Sequence, residues 1–346
     1  MPYGECKIYS DGSHFIAIPH TTNPHKRRRK PPVEEEITVE EPQKKPEDNG
    51  ALSDDENASV LPVRDTPDEV PESEQSALQE CEEPAKSVRT TTRKELFEKL
   101  YAENLNVKKW KRKNIILQAM RPYFEDEQSA RNYVELNLQR KYRNLVSRRV
   151  RMVRKVNLQD FNYFVTFTYD GSLHSEDSFR KGLKSTLSNF SNRRSWKYIG
   201  VWERSPEKHR LHFHGLFDIP DGTMQGILFE KNDYNFNTHR RQITHQNTYF
   251  NERFGRSDFE PIDDKSKLGN AIAYIIKYIE KTGEKIVYSK GLPQFFISDV
   301  MDEDIVCPFG LEDKKLLLFD DFRCWDEGCL MGKVSKDVIK QMRKSN

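Results

Sequence analysis

The sequence has no long apolar run and no ordered set of cysteines. No stretch reaches the roughly 20 consecutive apolar residues that a transmembrane helix needs, and the first residues lack the apolar core of a signal peptide. The five cysteines are odd in number and scattered, which excludes a small disulfide scaffold and favours a reducing compartment. Cys324 and Cys329 are spaced more widely than a usual zinc pair, so we interpret them as plain thiols. We expect a cytoplasmic protein of one or two domains without a membrane partner.

Acidic residues are concentrated in one segment and are scarce in the rest of the chain. Residues 31–90 hold 18 acidic and 5 basic side chains, a net charge of −13. Because the whole chain has a net charge of +2, the remainder is at +15. The segment is rich in Glu, Pro, Asp and Ser with few aromatics, which predicts a disordered linker. An acidic arm on a basic body favours a nucleic-acid binder whose arm competes for its own basic surface; a plain solubilising linker is the alternative.

The segments on either side of this arm differ in pattern. Residues 1–30 contain a predicted hairpin around Asp11-Gly12, followed by a cluster of cations at positions 26 to 30. Residues 91–157 are helical in pattern, and Thr92 with Glu95 predicts a capping box at the first helix.

The last of the predicted helices is strongly basic on one side. Residues 91–157 hold 18 basic and 7 acidic side chains, and eight bases with no acid lie between positions 140 and 155. Charge of one sign with interleaved aromatics favours a surface that follows phosphates. The predicted DNA-binding residues are Arg140, Lys141, Arg143, Arg148, Arg149, Arg151, Arg154 and Lys155.

Residues 158–300 change to a pattern of strands and helices in the order β-α-β-β-β-α-β. This order predicts an α+β domain, an antiparallel sheet with helices packed mainly on one face. Within it, residues 220–250 form a polar insertion with no assignment, and residues 301–346 are left as a C-terminal extension.

Two histidines lie one residue apart in the predicted strand "LHFHGLFDI". His212 and His214 project from the same face, while Phe213 projects from the other. If "SPEKHR" connects this strand to the preceding one as a hairpin, Glu203 faces His212 on the same side of the sheet. Two imidazoles and one carboxylate form a ligand set that fits Mn²⁺ or Mg²⁺.

A later predicted helix, "AYIIKYIEK", combines tyrosines and lysines. Tyr274 and Tyr278 are four residues apart, and Lys277 and Lys281 each follow a tyrosine by three, which predicts one shared helix face. A tyrosine hydroxyl has a pKa of about 10 and is a poor nucleophile unless cations or a metal favour the phenolate. An amphipathic helix with packed tyrosines and snorkelling lysines is the alternative.

These fragments, in this order, resemble the HUH endonucleases, and specifically the rolling-circle replication initiators. The matching motifs are "FVTFT" at 164–168, "HFH" at 212–214 and "YIIK" at 274–277. The doubled "YIIKYIEK" is similar to the two-tyrosine initiators of small single-stranded DNA phages, plasmids and integrated elements, and a glutamate about nine residues before the first histidine is common there. The resemblance covers roughly residues 158–300.

The resemblance implies metal-dependent nicking and joining of single-stranded DNA at a replication origin. Tyr274 would attack a phosphodiester, giving a 5′-phosphotyrosine link and a free 3′-hydroxyl primer, and Tyr278 would act in the second transfer. Lys277 and Lys281 would stabilise the developing charge. The implied metal ligands are Glu203, His212 and His214.

The resemblance also implies partners and leaves alternatives. Thr166 and Thr168, on a neighbouring strand, are expected to support the histidines. No G-x-x-x-x-G-K-[ST] motif occurs, so strand opening requires another protein, and we expect a host helicase and polymerase. A single-strand transposase or relaxase of a mobile element, and a non-catalytic DNA-binding regulator, remain the alternatives.

Overall fold

The computed structural model describes residues 3–20, 36–40, 88–205, 210–235, 239–282, 285–309 and 314–346. The described strands are β1 Tyr3–Ser10, β2 Phe15–Ile18, β3 Glu36–Glu40, β4 Val88–Thr92, β5 Tyr163–Thr168, β6 Lys197–Arg204, β7 Leu211–Asp218, β8 Leu228–Asn235, β9 Arg240–Asn247, β10 Ser257–Pro261, β11 Val287–Tyr288, β12 Phe295–Val300, β13 Ile305–Phe309, β14 Lys315–Leu318, β15 Arg323–Asp326, β16 Cys329–Lys333 and β17 Lys344–Ser345. The described α-helices are α1 Arg93–Glu103, α2 Lys109–Met120, α3 Glu127–Val156, α4 Glu176–Arg194, α5 Thr248–Phe254, α6 Lys265–Thr282 and α7 Lys336–Gln341. The predicted α+β class is confirmed.

A five-stranded antiparallel sheet, in the order β10-β5-β7-β6-β11, forms the centre of the predicted catalytic region. One face packs against α4 and α5 in an aromatic core. Phe213 and Phe167 from the sheet contact this core together with Phe179 of α4 and Phe250 of α5, and all four are fully or almost fully buried. Phe213 therefore lies on the side opposite to the two histidines, as the alternation of the strand predicts.

The other face of the sheet is covered by α6 and by the C-terminal end of α3. Ile199, Val201 and Leu216 of the sheet form a second core with Ile275 of α6 and Met152 of α3. Helices therefore cover both faces, whereas the sequence pattern predicted them mainly on one. The physical reason is that β6 and β7 are apolar on both sides, and such strands are stable only when both faces are shielded from water.

Helix α1 begins where the sequence predicts. Thr92 and Glu95 form the capping box of α1, and the Asp126 carboxylate accepts the Ser129 N–H at 2.7 Å to cap α3. Leu96, Phe97, Ile116, Met120 and Val134 form the small apolar core that holds α1, α2 and α3 together.

The segment predicted to be a disordered acidic arm lies mostly outside the described residues, as does the cation cluster at positions 26–30. Its two described ends differ from that prediction. Glu36–Glu40 pairs antiparallel with Val88–Thr92, so the first and last parts of the arm meet as a two-stranded ribbon immediately before α1.

The predicted N-terminal hairpin is present and is part of a second sheet. Six strands lie in the order β13-β14-β2-β1-β12-β17, so β1 of the hairpin is paired with β12, at the end of the predicted catalytic segment, and β2 with β14 of the C-terminal extension. The segments that the sequence separates as residues 1–30 and 301–346 therefore share one core, which includes Cys6, Ile8, Phe296 and Phe322.

The polar insertion without an assignment forms the β8–β9 hairpin and the start of α5. Strand β9 contacts β10, so the hairpin adjoins the edge of the central sheet. Among the described helices, none combines the length and apolarity needed to cross a membrane.

Candidate active site

The site is built on adjacent strands of the central sheet. Glu203 is directly opposite His212, and Arg204 is opposite Leu211, which is the register that the sequence predicts. The rings of His212 and His214 lie nearly parallel, with centroids 6.0 Å apart and an interplanar angle of 25°. The carboxylate and both imidazoles therefore share the face of the sheet that α6 covers.

The two threonines of β5 orient the histidines. Thr168 Oγ1 is hydrogen-bonded to His212 Nδ1 at 2.7 Å, and Thr166 Oγ1 to His214 Nδ1 at 3.0 Å. Each contact follows from the β5–β7 register, which pairs Thr168 with His212 and Thr166 with His214. Because Nδ1 is engaged in both rings, the hydrogen bonds fix the ring orientation and leave Nε2 to face the site.

Glu203 and His214 form a buried pair. Glu203 is 5% exposed and His214 is 7% exposed, and Glu203 Oε2 lies 2.8 Å from His214 Nε2. Burial is the largest single influence on the pKa of Glu203 and acts to raise it. The hydrogen bond and charge of His214, a hydrogen bond from Tyr278 and the charge of His212 together outweigh it and lower this pKa. Glu203 is therefore ionised at neutral pH.

His212 lies at the more open end of the site. Burial, followed by the charge of His214, lowers the pKa of His212 to about 4, although Glu203 acts in the opposite direction. The charges of Arg210 and Arg256 add to the lowering. The imidazole is therefore neutral at pH 7, the protonation state that a metal ligand requires.

Helix α6 brings both tyrosines to this cluster. The Tyr274 hydroxyl donates to Glu203 Oε2 at 3.4 Å, and the rings of Tyr274 and Tyr278 lie 4.7 Å apart. The His214 ring is 5.0 Å from the Tyr274 ring and 6.0 Å from that of Tyr278, which is stacked on it at 13°. Both hydroxyls are thus directed at the carboxylate that pairs with His214.

These surroundings favour the neutral phenol. Burial, the hydrogen bond with Tyr278 and the charge of Glu203 raise the pKa of Tyr274 well above its usual range. Burial is also the main reason that the pKa of Tyr278 is raised, and Glu203 adds to it. Because an anionic carboxylate opposes a second negative charge beside it, ionisation of either hydroxyl requires added positive charge.

The predicted common face of tyrosines and lysines on α6 is wrong at Lys277. Tyr278 is 9% exposed and packs with Ile275 and Ile279 against the sheet, whereas Lys277 is exposed. The aromatic ring gains by burial and the ammonium does not, so the helix turns its tyrosines inward and this lysine outward. The side chain of Lys281 lies outside the described residues.

The predicted metal ligands have suitable chemistry but are not arranged as a closed group. Within the described ranges, no three His, Cys, Asp or Glu side chains are arranged so that they could hold a metal ion. Glu203 Oε2 contacts His214 Nε2, although the residue directly opposite Glu203 in the sheet is His212. One ionised carboxylate and two oriented imidazoles are nevertheless donors that Mn²⁺ accepts, so the metal site stays a prediction.

Seven of the eight predicted DNA-binding residues of α3 divide into three groups. Arg140 and Lys141 both form ion pairs with Glu98 of α1, the first at 2.8 Å. Arg154 lies over the Tyr9 ring at 4.3 Å, which ties the helix to β1. The remaining residues are half-buried or exposed and face outward to different degrees: Arg143, Arg148, Arg149 and Arg151.

Lys155 does not fit the predicted DNA-binding surface. It is 3% exposed, and its ammonium donates to the Leu292 carbonyl at 3.0 Å and to the Asn346 side chain. Burial lowers its pKa. The last turn of α3 packs against the α6 face of the sheet, so this lysine is used inside the protein and cannot reach a phosphate in this conformation.

Sequence reasoning missed Arg256, which lies next to the site. The Thr168 N–H donates to the Arg256 carbonyl at 2.8 Å, which continues the pairing of β10 with β5. Arg256, Thr168, His212 and Glu203 therefore form one row across four strands, on one face of the sheet. Only the pairing of β10 with β5 places Arg256 in this row.

Residues 162–283 match the family model described as replication-associated protein ORF2/G2P. No curated protein and no solved structure matches this chain. The matched segment contains β5, β6, β7 and α6, and with them both histidines, both tyrosines and Glu203. This segment, 122 of the 346 residues, is therefore similar to replication-associated proteins.

Proposed function

We propose that this protein is a rolling-circle replication initiator that nicks and joins single-stranded DNA through Tyr274 and Tyr278. The main observation in favour is that two tyrosine hydroxyls and a histidine ring converge on one buried carboxylate, Glu203, within the segment that matches a replication-associated family. The arrangement brings four polar groups together between the sheet and α6: the Glu203 carboxylate, the His214 imidazole and the hydroxyls of Tyr274 and Tyr278. Packing of a hydrophobic core does not require such a cluster.

In this proposal, Glu203, His212 and His214 hold a divalent cation, Mn²⁺ or Mg²⁺. When bound, such a cation supplies Lewis-acid polarisation of the phosphodiester and positive charge beside the phenols. Thr166 and Thr168 keep the imidazoles oriented for this purpose.

The covalent step is a transesterification. The Tyr274 hydroxyl gives up its proton to solvent, because Glu203 binds the cation, and its oxygen forms a bond to phosphorus. The bond from phosphorus to the 3′ oxygen breaks, and that oxygen takes up a proton. The products are a 5′-phosphotyrosine and a free 3′-hydroxyl primer, and no external energy source is consumed.

The contacts of Tyr278 support a role for it in the second transfer. Tyr278 shares the Glu203 carboxylate with Tyr274, and the two rings are 4.7 Å apart. We propose that Tyr274 attacks first and that Tyr278 accepts the second strand. Lys277 is exposed, so we propose that it contacts the DNA backbone when the strand lies over α6. We propose the same backbone contact for Lys281.

The test uses labelled single-stranded oligonucleotides that tile the DNA around the protein's own gene, with Mn²⁺ present. Wild-type protein is expected to cleave one of them and to remain attached to its 5′ end on a denaturing gel. Tyr274→Phe should lose most cleavage, whereas Tyr278→Phe should cleave and attach but fail to rejoin. Tyr288→Phe is a matched control, since Tyr288 also lies in the core beneath α6 but off the carboxylate cluster.

A covalent adduct formed by the Tyr274→Phe/Tyr278→Phe double variant would show that neither tyrosine is the nucleophile. His212→Ala should abolish nicking and preserve DNA binding; normal nicking by this variant would overturn the metal site. DNA binding by wild-type protein without cleavage of any oligonucleotide would favour the non-catalytic regulator.

A further inference from the structure

The row of residues that contains His212 ends in an arginine held in place by the β8–β9 hairpin. Thr168 is next to His212, and Arg256 is next to Thr168, so Arg256 lies two strands, or about 10 Å, from His212 on the same face. Its charge is close enough to influence His212. Among the four residues of this row, Arg256 supplies the permanent positive charge.

The position of Arg256 is fixed by a carboxylate oxygen that also accepts from two other side chains. Arg256 Nη2 lies 2.8 Å from Asp233 Oδ2 on β8, which also accepts from Thr244 Oγ1 at 2.9 Å and from Gln246 Nε2 at 3.0 Å. Thr244 and Gln246 are each 2% exposed. The carboxylate is thus held by buried groups of the hairpin, and it orients the guanidinium in turn.

Arg256 nevertheless keeps much of its surface open. Its side chain is 48% exposed, against 17% for Asp233. A guanidinium has five N–H donors in a planar fork, and one short contact to a carboxylate leaves other donors to bind an anion. The fork geometry suits a phosphate group, and prior orientation reduces the entropy lost on binding.

We propose that Arg256 binds a backbone phosphate of single-stranded DNA next to the scissile one, and that the β8–β9 hairpin serves to hold Arg256 through Asp233. This inference rests on the proposed function, since it takes its ligand from that function. Arg256 is a positioning residue: it sets where the strand lies along the row from Arg256 to Glu203, while the chemistry takes place at the other end.

Carboxylates beside Arg256 make this a selective site. Asp233 pairs with Arg256, and Asp258 and Glu260 follow it on the same face of β10. Phosphates of a strand that strayed toward Asp258 or Glu260 would meet like charge, so the strand is directed along the Arg256 end of the row.

The first measurement is binding of a labelled oligo(dT) of about 15 nucleotides at several salt concentrations, with chelator present so that cleavage cannot contribute. Arg256→Gln should weaken binding about fivefold and lower the slope of log affinity against log salt by about 0.7, the value for one phosphate contact on a single strand. Arg253→Gln is the matched control, because Arg253 lies on α5 over the Tyr249 and Phe254 rings, on the aromatic-core side of the sheet. It should change binding less than twofold.

Two more variants separate positioning from folding. Arg256→Lys keeps the charge but not the fork, and it should restore most of the salt slope and only part of the affinity. Asp233→Asn should retain the salt slope and weaken affinity, because the guanidinium is less well oriented. Equal effects of Arg256→Gln and Arg253→Gln, or no effect of either, would overturn the inference.

The cleavage assay distinguishes failure of this inference from failure of the proposed function. With the oligonucleotide that wild-type protein cleaves, Arg256→Gln should raise KM about fivefold and leave kcat within twofold. Normal cleavage and normal KM would reject the role of Arg256 and leave the nickase intact. Absence of cleavage by wild-type protein, together with the predicted loss of binding in Arg256→Gln, would reject the nickase and leave the phosphate site intact.

Discussion

The strand with the two histidines is shaped by a close contact that makes Gly200→Ala a severe change. Gly200 of β6 is paired with Gly215 of β7, and the buried Phe213 ring covers both. A Cβ at Gly200 would lie 2.2 Å from Phe213 Cζ and 2.8 Å from the His214 carbonyl oxygen. Neither neighbour can yield cheaply, because the ring is 1% exposed among other aromatics and the carbonyl belongs to the strand that supports the site.

The expected cost follows from these contacts. Overpacking of a dense core costs up to about 3 kcal/mol in the free energy of unfolding. Replacing glycine by alanine in a strand returns at most about 1 kcal/mol of backbone entropy. The net loss is therefore about 2 kcal/mol, which shifts the urea midpoint down by about 1 M for an m value near 2 kcal/mol/M.

The assay is urea denaturation followed by fluorescence, with Gly269→Ala as the control. A Cβ at Gly269, in the exposed part of α6, would meet nothing within 4 Å, so this change should raise stability by up to about 1 kcal/mol. Nicking by Gly200→Ala should also fall in the absence of urea, because displacement of Phe213 moves the backbone between the two histidines. Equal midpoints for Gly200→Ala and wild-type protein would refute the reasoning.

Three further predictions concern the site and its helices. Thr168→Val should lower metal affinity and the nicking rate about tenfold without unfolding the protein, because His212 loses the hydrogen bond at Nδ1. Metal titration and nicking rates measure these two effects, and unchanged values would contradict the prediction. Lys155→Met should leave the salt dependence of DNA binding unchanged while Arg151→Gln flattens it, because only the arginine is exposed; equal slopes for the two variants would refute this. Hydrogen bonds from Ser129 lower the pKa of the Asp126 carboxylate. Its capping contribution to stability should therefore be complete above about pH 4 and be lost as the pH falls through the lower pKa of the folded state. In thermal melting across this pH range, the midpoints of Asp126→Ala and wild-type protein should converge as the pH falls.

Local chemistry in the sequence determined the elements that support the site. The Thr92–Glu95 capping box and the Asp126 cap locate the starts of α1 and α3, because capping involves residues only three positions apart. The pairing of Glu203 with His212 was also predictable, since a short hairpin fixes the register of its two strands and alternation then fixes which side chains share a face.

Only the tertiary structure decided which of these side chains meet. By their local sequence pattern, both Lys277 and Lys155 are expected to face solvent. Lys277 is exposed and Lys155 is buried, because the packing of α6 and of the end of α3 on the sheet determines the surroundings of each side chain. The row from Arg256 to Glu203 depends on the pairing of Thr168 with His212, which are 44 residues apart in sequence, and on the insertion that orients Arg256. Periodicity gives the face of a residue within its own element, whereas its neighbours depend on long-range pairing and burial that no local pattern encodes.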